Sequence, residues 1–332
     1  MLRFIESFDH ISAATTTPKW DAAPLLNAVT KRTGIQSART STALNKTLDS
    51  QATWVIGFAW YTTGWVARDI LRLLDTATIH VTLAMNAAGA LIVTRNGTQL
   101  AISPNAAVSI NTWHWIEAKF TIADAPNGSW QVKVDGVDAI VAGTGDTRNG
   151  GNASANKINF YDAVAYDGYV DDVVMQDGQD GTATQGAPFN DFLGDCLVRC
   201  GVVTGDGANQ QFTPLGGGTH FSEVDEIPPD EDTSYNSDAV AGHKDTYTHA
   251  ASGVTGTPLA VQVCSRVKKD DAGLRTARSI IKSGASYGNG VTRATAAGYE
   301  TWSDIFALDP DTGLPWSKAA IDASEIGLEV IA

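Results

Sequence analysis

A chain of 332 residues, 43% of them hydrophobic and 32 of them glycine, has room for two domains of ordinary size and the turn-rich make-up of a globular protein. Its net charge of -14 excludes direct binding to a phosphate backbone, because an acidic surface repels the polyanion. No run approaches the ~20 apolar residues that span a bilayer, and residues 1–10 carry acids where a signal peptide has its apolar core, so the sequence predicts a protein made and kept in the cytosol.

Short alternating or apolar runs, rich in aromatic and β-branched residues and punctuated by Gly, Asn and Asp, give an all-β signature. Strands are predicted over 54–62, 79–85, 90–94, 113–122, 130–134 and 169–175. Residues 86–89, Asn96-Gly97 and Asp135-Gly136 supply the tight-turn chemistry between them, so consecutive strands are expected to pair antiparallel. Residues 66–74 put Ile70 and Leu74 on one helical stripe but fit a strand equally well. On the 113–122 strand, His114, Ile116, Ala118, Phe120 and Ile122 share the expected core face. Trp113, Trp115, Glu117, Lys119 and Thr121 share the other, as on the concave face of a sandwich.

An early Phe4/Phe8 strand, a hairpin ending at Asn96-Gly97, then Trp113-His114-Trp115, Val134-Asp135-Gly136 and Gly168-Tyr-Val-Asp-Asp-Val173 follow in that order. This order resembles the laminin-G and concanavalin-like jelly roll over residues 1–178. The resemblance implies an antiparallel β-sandwich and, since relatives of the fold bind Ca²⁺ through Asp, Asn and backbone oxygens, makes Asp171 and Asp172 candidate ligands. Adjacent strand residues point to opposite faces, so both reach one site only through a loop or bulge, and a structural role is favoured. Asp146 and Asn149 could add oxygens from their Gly/Asn-rich loop. No other cofactor is expected.

Residues 179–195, rich in Gly and Thr, read as a linker to a second β-sandwich over 196–332 with a loop-rich first part. Pro228-Pro-Asp-Glu-Asp232 is a rigid acidic connection, and a short helix is predicted over 317–323. Acids on the strands that end each half suggest a diverged tandem repeat. Cys196 and Cys200 lie ~13 Å apart if extended, too far for a disulfide, and the three cysteines are read as small buried hydrophobes. The strand over 258–267, then Asp309-Pro-Asp-Thr-Gly-Leu-Pro-Trp316 and Glu325-Ile-Gly-Leu-Glu-Val330, together with Gly194-Asp-Cys-Leu-Val-Arg199 and Val224 to Tyr235, resemble the C-terminal part of tailed-bacteriophage and prophage virion proteins.

No catalytic constellation stands out. Glu223-Val-Asp-Glu226 is the nearest match to the carboxylate strand of sandwich-fold glycoside hydrolases, but Pro228-Pro229 ends it before an acid/base partner. The six histidines lack metal-ligand spacing, and Gly284-Ala-Ser-Tyr-Gly288 lacks the helix of a nucleophile elbow. Trp60, Trp65, Trp113 and Trp115 are the candidate sugar-stacking rings. The resemblance therefore implies a non-enzymatic structural protein of the virion, in its tail, baseplate or capsid surface, which binds other virion proteins and homo-oligomerises. The alternative is a carbohydrate-binding adhesin for a host surface glycan, and a third reading is a glycoside hydrolase using Glu223. Neither nucleic acid nor membrane is expected as a partner.

Overall fold

The fold comes from a computed structural model, which describes residues 1–12, 19–42, 44–161, 168–178 and 189–332. The chain is all-β, built from antiparallel sheets with one short helix among the described residues. It divides into two compact units, Met1–Asp9 with Trp20–Val198 and His10–Lys19 with Arg199–Ala332. Of the expected linker over 179–195, residues 179–188 lie outside the described residues. Residues 189–195 belong to the first unit, which extends to Val198.

The first unit holds β1 (Leu2–Glu6), β2 (Leu25–Asn27), β3 (Ser37–Arg39), β4 (Leu44–Gln51), β5 (Thr53–Thr62), β6 (Arg68–Asp75) and β7 (Thr78–Met85). They are followed by β8 (Leu91–Arg95), β9 (Thr98–Ile102), β10 (Trp113–Thr121), β11 (Gly128–Val134), β12 (Val137–Gly145), β13 (Ala155–Phe160) and β14 (Gly168–Asp177). One eight-stranded sheet runs β12-β11-β10-β5-β14-β3-β2, with β1 also on β14; a six-stranded sheet runs β4-β13-β6-β7-β8-β9. The two sheets form a jelly-roll sandwich. The doubtful 66–74 segment is resolved as strand β6, which pairs with β7 and β13 and buries Ile70, Leu71 and Leu73.

The even residues of β5, Trp54, Ile56, Phe58 and Trp60, are all buried and lie in register with Phe120, Ala118, Ile116 and His114 of β10. Phe58 meets Phe160 of the second sheet edge-on at 5.0 Å between ring centroids, and the Trp54 indole donates to Ala155 O at 2.9 Å. This even face is therefore the core face. Trp20 closes the same core against Phe4, Phe8 and Phe160 and donates to the buried Glu6 carboxylate at 3.0 Å. The turns follow their chemistry: Asn96-Gly97 and Asp135-Gly136 all have positive φ, as two-residue hairpins require.

The second unit contains β15 (Val203–Gln210), β16 (Thr213–Pro214), β17 (Asn236–Ser237), β18 (Lys244–His249), β19 (Val261–Val267), β20 (Thr276–Ser283) and β21 (Ser286–Asn289). It ends with β22 (Arg293–Ala294), β23 (Glu300–Phe306), α1 (Lys318–Asp322) and β24 (Glu325–Val330). Its main sheet runs β15-β18-β24-β20-β21, with β22 on β20, and the β19–β23 ribbon packs against it. Val263, Ile281, Phe306, Trp316 and Ile321 form the core between them.

The Asp309 to Trp316 motif builds this core. The buried Asp309 carboxylate accepts from the Asp311 N–H at 3.0 Å and the Thr312 hydroxyl at 3.2 Å, and Gly313 turns the chain at φ 68°. Trp316 is thereby driven inward, where its indole donates to Phe306 O at 2.8 Å. Ser317 then caps α1 by accepting the Ala320 N–H at 3.1 Å. The strand orders of the two units differ, so a tandem repeat of one sandwich is not what the chain contains. No helix among the described residues is long and apolar enough to cross a membrane.

Candidate functional site

The odd residues of β10 and β5 project from the eight-stranded sheet away from the core. At one end of this outward face, register aligns Trp113 of β10, Tyr61 of β5, Tyr169 of β14, Arg39 of β3 and Leu25 of β2 in a single row. Tyr61 lies 5.5 Å from Trp113 and 5.8 Å from Tyr169 between ring centroids, and the Arg39 guanidinium sits 5.4 Å over the Tyr169 ring. Trp113 and Tyr61 are part-exposed, whereas Tyr169 is buried.

The next rows carry Trp115, Ala59 and Asp171, then Glu117 and Gly57, then Lys119, Val55 and Gln176. Trp115 and Glu117 lie on this outward face yet are 1% and 2% exposed; Arg32 lies over the Trp115 ring, and residues 193 and 194 reach Glu117. The Leu193 and Gly194 N–H groups donate to Glu117 Oε1 at 2.7 and 3.1 Å. Lys119 Nζ donates to Asp191 Oδ1 at 3.1 Å, and Lys133 Nζ stands 4.8 Å over the Phe192 ring. A side chain at Gly57 would meet the Trp115 ring 2.6 Å from its Cβ, so glycine lets the indole lie flat on the sheet. Burial raises the Glu117 pKa, against the two backbone donors, the Lys133 charge and the neighbouring Trp115 indole, which all lower it. Glu117 Oε2 and Trp115 Nε1 complete no hydrogen bond.

Asp171 and Asp172 reach the same cluster through a bulge. The β14–β5 register shifts between Asp171 and Val174, and Asp172 takes φ 50°. Asp171 accepts from the Arg32 and Thr33 N–H groups at 2.9 and 3.3 Å. Asp172 accepts from Arg32 Nη1 at 3.2 Å, the Thr33 hydroxyl at 2.9 Å and the Val198 N–H at 2.8 Å. Arg32 also pairs with Asp195, donates to Cys196 O at 2.8 Å and lies 5.5 Å over the Trp115 ring. Burial first and the Asp172 charge second raise Asp171 to about 7, and Asp172 is raised by burial. Arg32 supplies the positive charge at the pair proposed for Ca²⁺. Among the described residues no three His, Cys, Asp or Glu side chains gather into a metal-binding group.

The four candidate tryptophans thus separate. Trp113 and Trp115 share the outward face; Trp60 points into the core, because β5 is apolar on both faces and its composition gives no parity signal. Trp65, 40% exposed, lies outside the strands, with its indole donating to Val108 O at 2.9 Å and its ring against Gly89. Asp146 pairs with Arg95, and Asn149 donates to Ile79 O at 3.0 Å, so both anchor their loop. Glu223 ends a 3₁₀ turn, Phe221–Glu223, rather than standing on a strand beside Asp225. Tyr61, Tyr169, Arg32 and Arg39 were not singled out from sequence; only the cross-strand register brings them together. A shallow cavity of about 340 Å³, lined among others by Lys119, Ser129, Gln131 and Thr144, opens beside the covered rows.

No protein-family profile matches the chain, and no curated protein sequence does. Among solved structures, the chain is similar to an endo-β-1,4-glucuronan lyase from the fungus Trichoderma reesei, at 12% identity and a TM-score of 0.41, over 53% of this chain and 95% of that one. It is also similar to the galectin LEC-6 of Caenorhabditis elegans, at 13% identity and a TM-score of 0.30, over 41% of this chain and 91% of that one. The carbohydrate recognition domain of Emp47p matches at 8% identity and a TM-score of 0.33, over 52% of this chain and 93% of that one.

Proposed function

We propose that the chain is a non-catalytic carbohydrate-binding protein that holds sugar rings on the outward face of the eight-stranded sheet. The aromatic row carries this reading: Trp113 and Tyr61 stand part-exposed on neighbouring strands, with Tyr169 and Arg39 continuing the line. Such rings stack on the apolar face of a pyranose while a polar edge hydrogen-bonds its hydroxyls, and a rigid sheet presents them with little ordering cost. Glycoside hydrolysis has less support, since the turn at Glu223 does not set two carboxylates across a cleft.

The resemblance of the C-terminal half extends the proposal to where the protein works. It is a component of a tailed-phage particle, made in the host cytoplasm, packed as a homo-oligomer among other virion proteins and directed at a host surface glycan. It needs no cofactor, nucleic acid or membrane. A purely structural virion role is the second reading, favoured by the chain's own cover over Trp115 and Glu117.

A glycan microarray separates the two. The wild-type protein is expected to bind a defined set of glycans, and Trp113→Ala to weaken that binding about fivefold with little change in melting temperature, in line with the ~1 kcal/mol that one stacked ring contributes beyond its area. Undiminished binding by Trp113→Ala would remove the row from the site. A wild-type protein that binds no glycan, yet is found by mass spectrometry in purified particles, would favour the structural role.

A further inference from the structure

Residues 189–198 sit on the sheet in the manner of a ligand. They add no strand to it; over residues 190–195 the contacts include charge pairs, a ring contact and backbone hydrogen bonds, while Phe189 and Cys196 at the two ends are buried. Beneath them lie the cations Lys119, Lys133 and Arg32, interleaved with the carboxylates of Glu117, Asp171 and Asp172, of which Asp172 pairs with Arg32. Arg39 lies farther along the same face, in the aromatic row. The segment answers with the Asp191 carboxylate on Lys119, the Asp195 carboxylate on Arg32 and the Phe192 ring under Lys133. The Glu117 carboxylate and the Trp115 indole are neighbours there, and neither Glu117 Oε2 nor Trp115 Nε1 completes a hydrogen bond. A sugar hydroxyl satisfies such a pair, donating to the carboxylate and accepting from the indole.

We propose that this covered face is a second part of the glycan site, that it takes an anionic polysaccharide bearing carboxylates, and that residues 189–195 are a built-in competitor which the polysaccharide displaces. The proposal rests on the glycan-binding reading above and adds to it the charge of the ligand and the means of access. From Trp113 to Lys119 the face spans about 20 Å along β10 at ~3.3 Å per residue. The aromatic row lies open at one end of this span, and the cavity beside Lys119 lies at the other. A polysaccharide running along β10 meets stacking rings first and cations afterwards, with its carboxylates taking the places of Asp191 and Asp195.

The test uses the full chain with polygalacturonate as the anionic probe and dextran as the neutral one, followed by titration calorimetry at low and moderate salt. Asp191→Asn with Asp195→Asn weakens the cover at two exposed positions and leaves the sheet intact. It is expected to raise affinity for polygalacturonate at least fivefold at low salt, to leave dextran unchanged, and to lose part of the gain as salt screens the contact. Adding Lys119→Gln and Lys133→Gln should abolish the gain. In hydrogen exchange on the wild type, polygalacturonate should speed the Leu193 and Gly194 amides, which leave Glu117 when the cover is displaced. Unchanged affinity in the double variant, an equal gain for dextran, or slower exchange at Leu193 and Gly194 would overturn the proposal while leaving the aromatic row in place. If neither protein binds any glycan on the array, the glycan-binding reading falls with it.

Discussion

Asp171 takes up a proton as the pH falls through about 7, where an unfolded aspartate is still ionised. Burial, then the charge of Asp172, lift it from its ordinary value of 3.8 to about 7. The folded state therefore binds more protons than the unfolded chain across that window. The stability contributed by this group is full below about pH 4 and is lost as the pH rises through 7. Glu117 and Asp172 are raised as well and act in the same sense, whereas burial lowers His80 and so works the other way below pH 6.5. The informative quantity is thus the difference between wild type and Asp171→Asn. Relative to the variant, wild type should gain melting temperature as the pH falls from 7.5 to 5.5, and a parallel pair of curves would show that Asp171 does not titrate there.

The cysteines diverge as sharply. Burial pushes the Cys196 thiol up to about 12. It also pushes Cys264 up, but the Lys19 and His10 charges, with hydrogen bonds from His10 and Ser303, outweigh it and bring Cys264 to about 6. Cys196 matches the small buried hydrophobe expected of it; Cys264 is half-buried among polar groups, because His10 and Lys19, far away in sequence, come near it. Iodoacetamide at pH 7 should label Cys264 at least tenfold faster than Cys196, as thiolate content dictates. Labelling at equal rates would contradict the assignment.

Strands were legible wherever turn chemistry and alternation coincided, as at β7, β8, β10 and β11. β5 was legible as a strand but not in its facing, since apolar residues fill both of its faces, and Trp60, a candidate stacking ring, lies in the core. Gly327 marks a point where two strands come too close for any side chain: a Cβ there would lie 1.9 Å from Asp245 O on the neighbouring β18. Gly327→Ala should therefore cost about 1–3 kcal/mol by forcing β24 and β18 apart, read as a lower urea midpoint. A midpoint equal to wild type would mean that the pair can shift freely. The Asp309 to Trp316 motif was recognised through its resemblance alone. The structure gives it a physical task, a turn that delivers an aromatic anchor to the core.

Each unit has its own core, so heating the whole protein should show two transitions by calorimetry. Trp316→Ala removes the largest side chain of the second core and should lower one of them by an amount equivalent to about 3–5 kcal/mol. A single transition that moves as a whole would show that the units melt together. The covered face was hidden from sequence at this scale. Composition marks 179–195 as linker, yet residues near its end lie on strands some 70 positions earlier, a pairing that no local pattern carries.

The bulge in β14 gives that strand two reading frames. Up to Asp171 its odd residues face outward, Tyr169 into the aromatic row and Asp171 toward Arg32. From Val174 on the even residues do, with Gln176 outward and Met175 in the core. Paired at its present length without the bulge, β14 would have one half out of phase, turning either Tyr169 and Asp171 inward or Met175 out; loss of one residue between them would instead give a regular strand with both halves facing as they do, without the bulge that brings Asp172 to the cluster. Length changes in the exposed hairpins on either side of β11 carry no such penalty. Residues 171–174 are therefore where one missing residue would remove the bulge, and with it the contacts Asp172 makes in the carboxylate cluster, while the aromatic row keeps its facing.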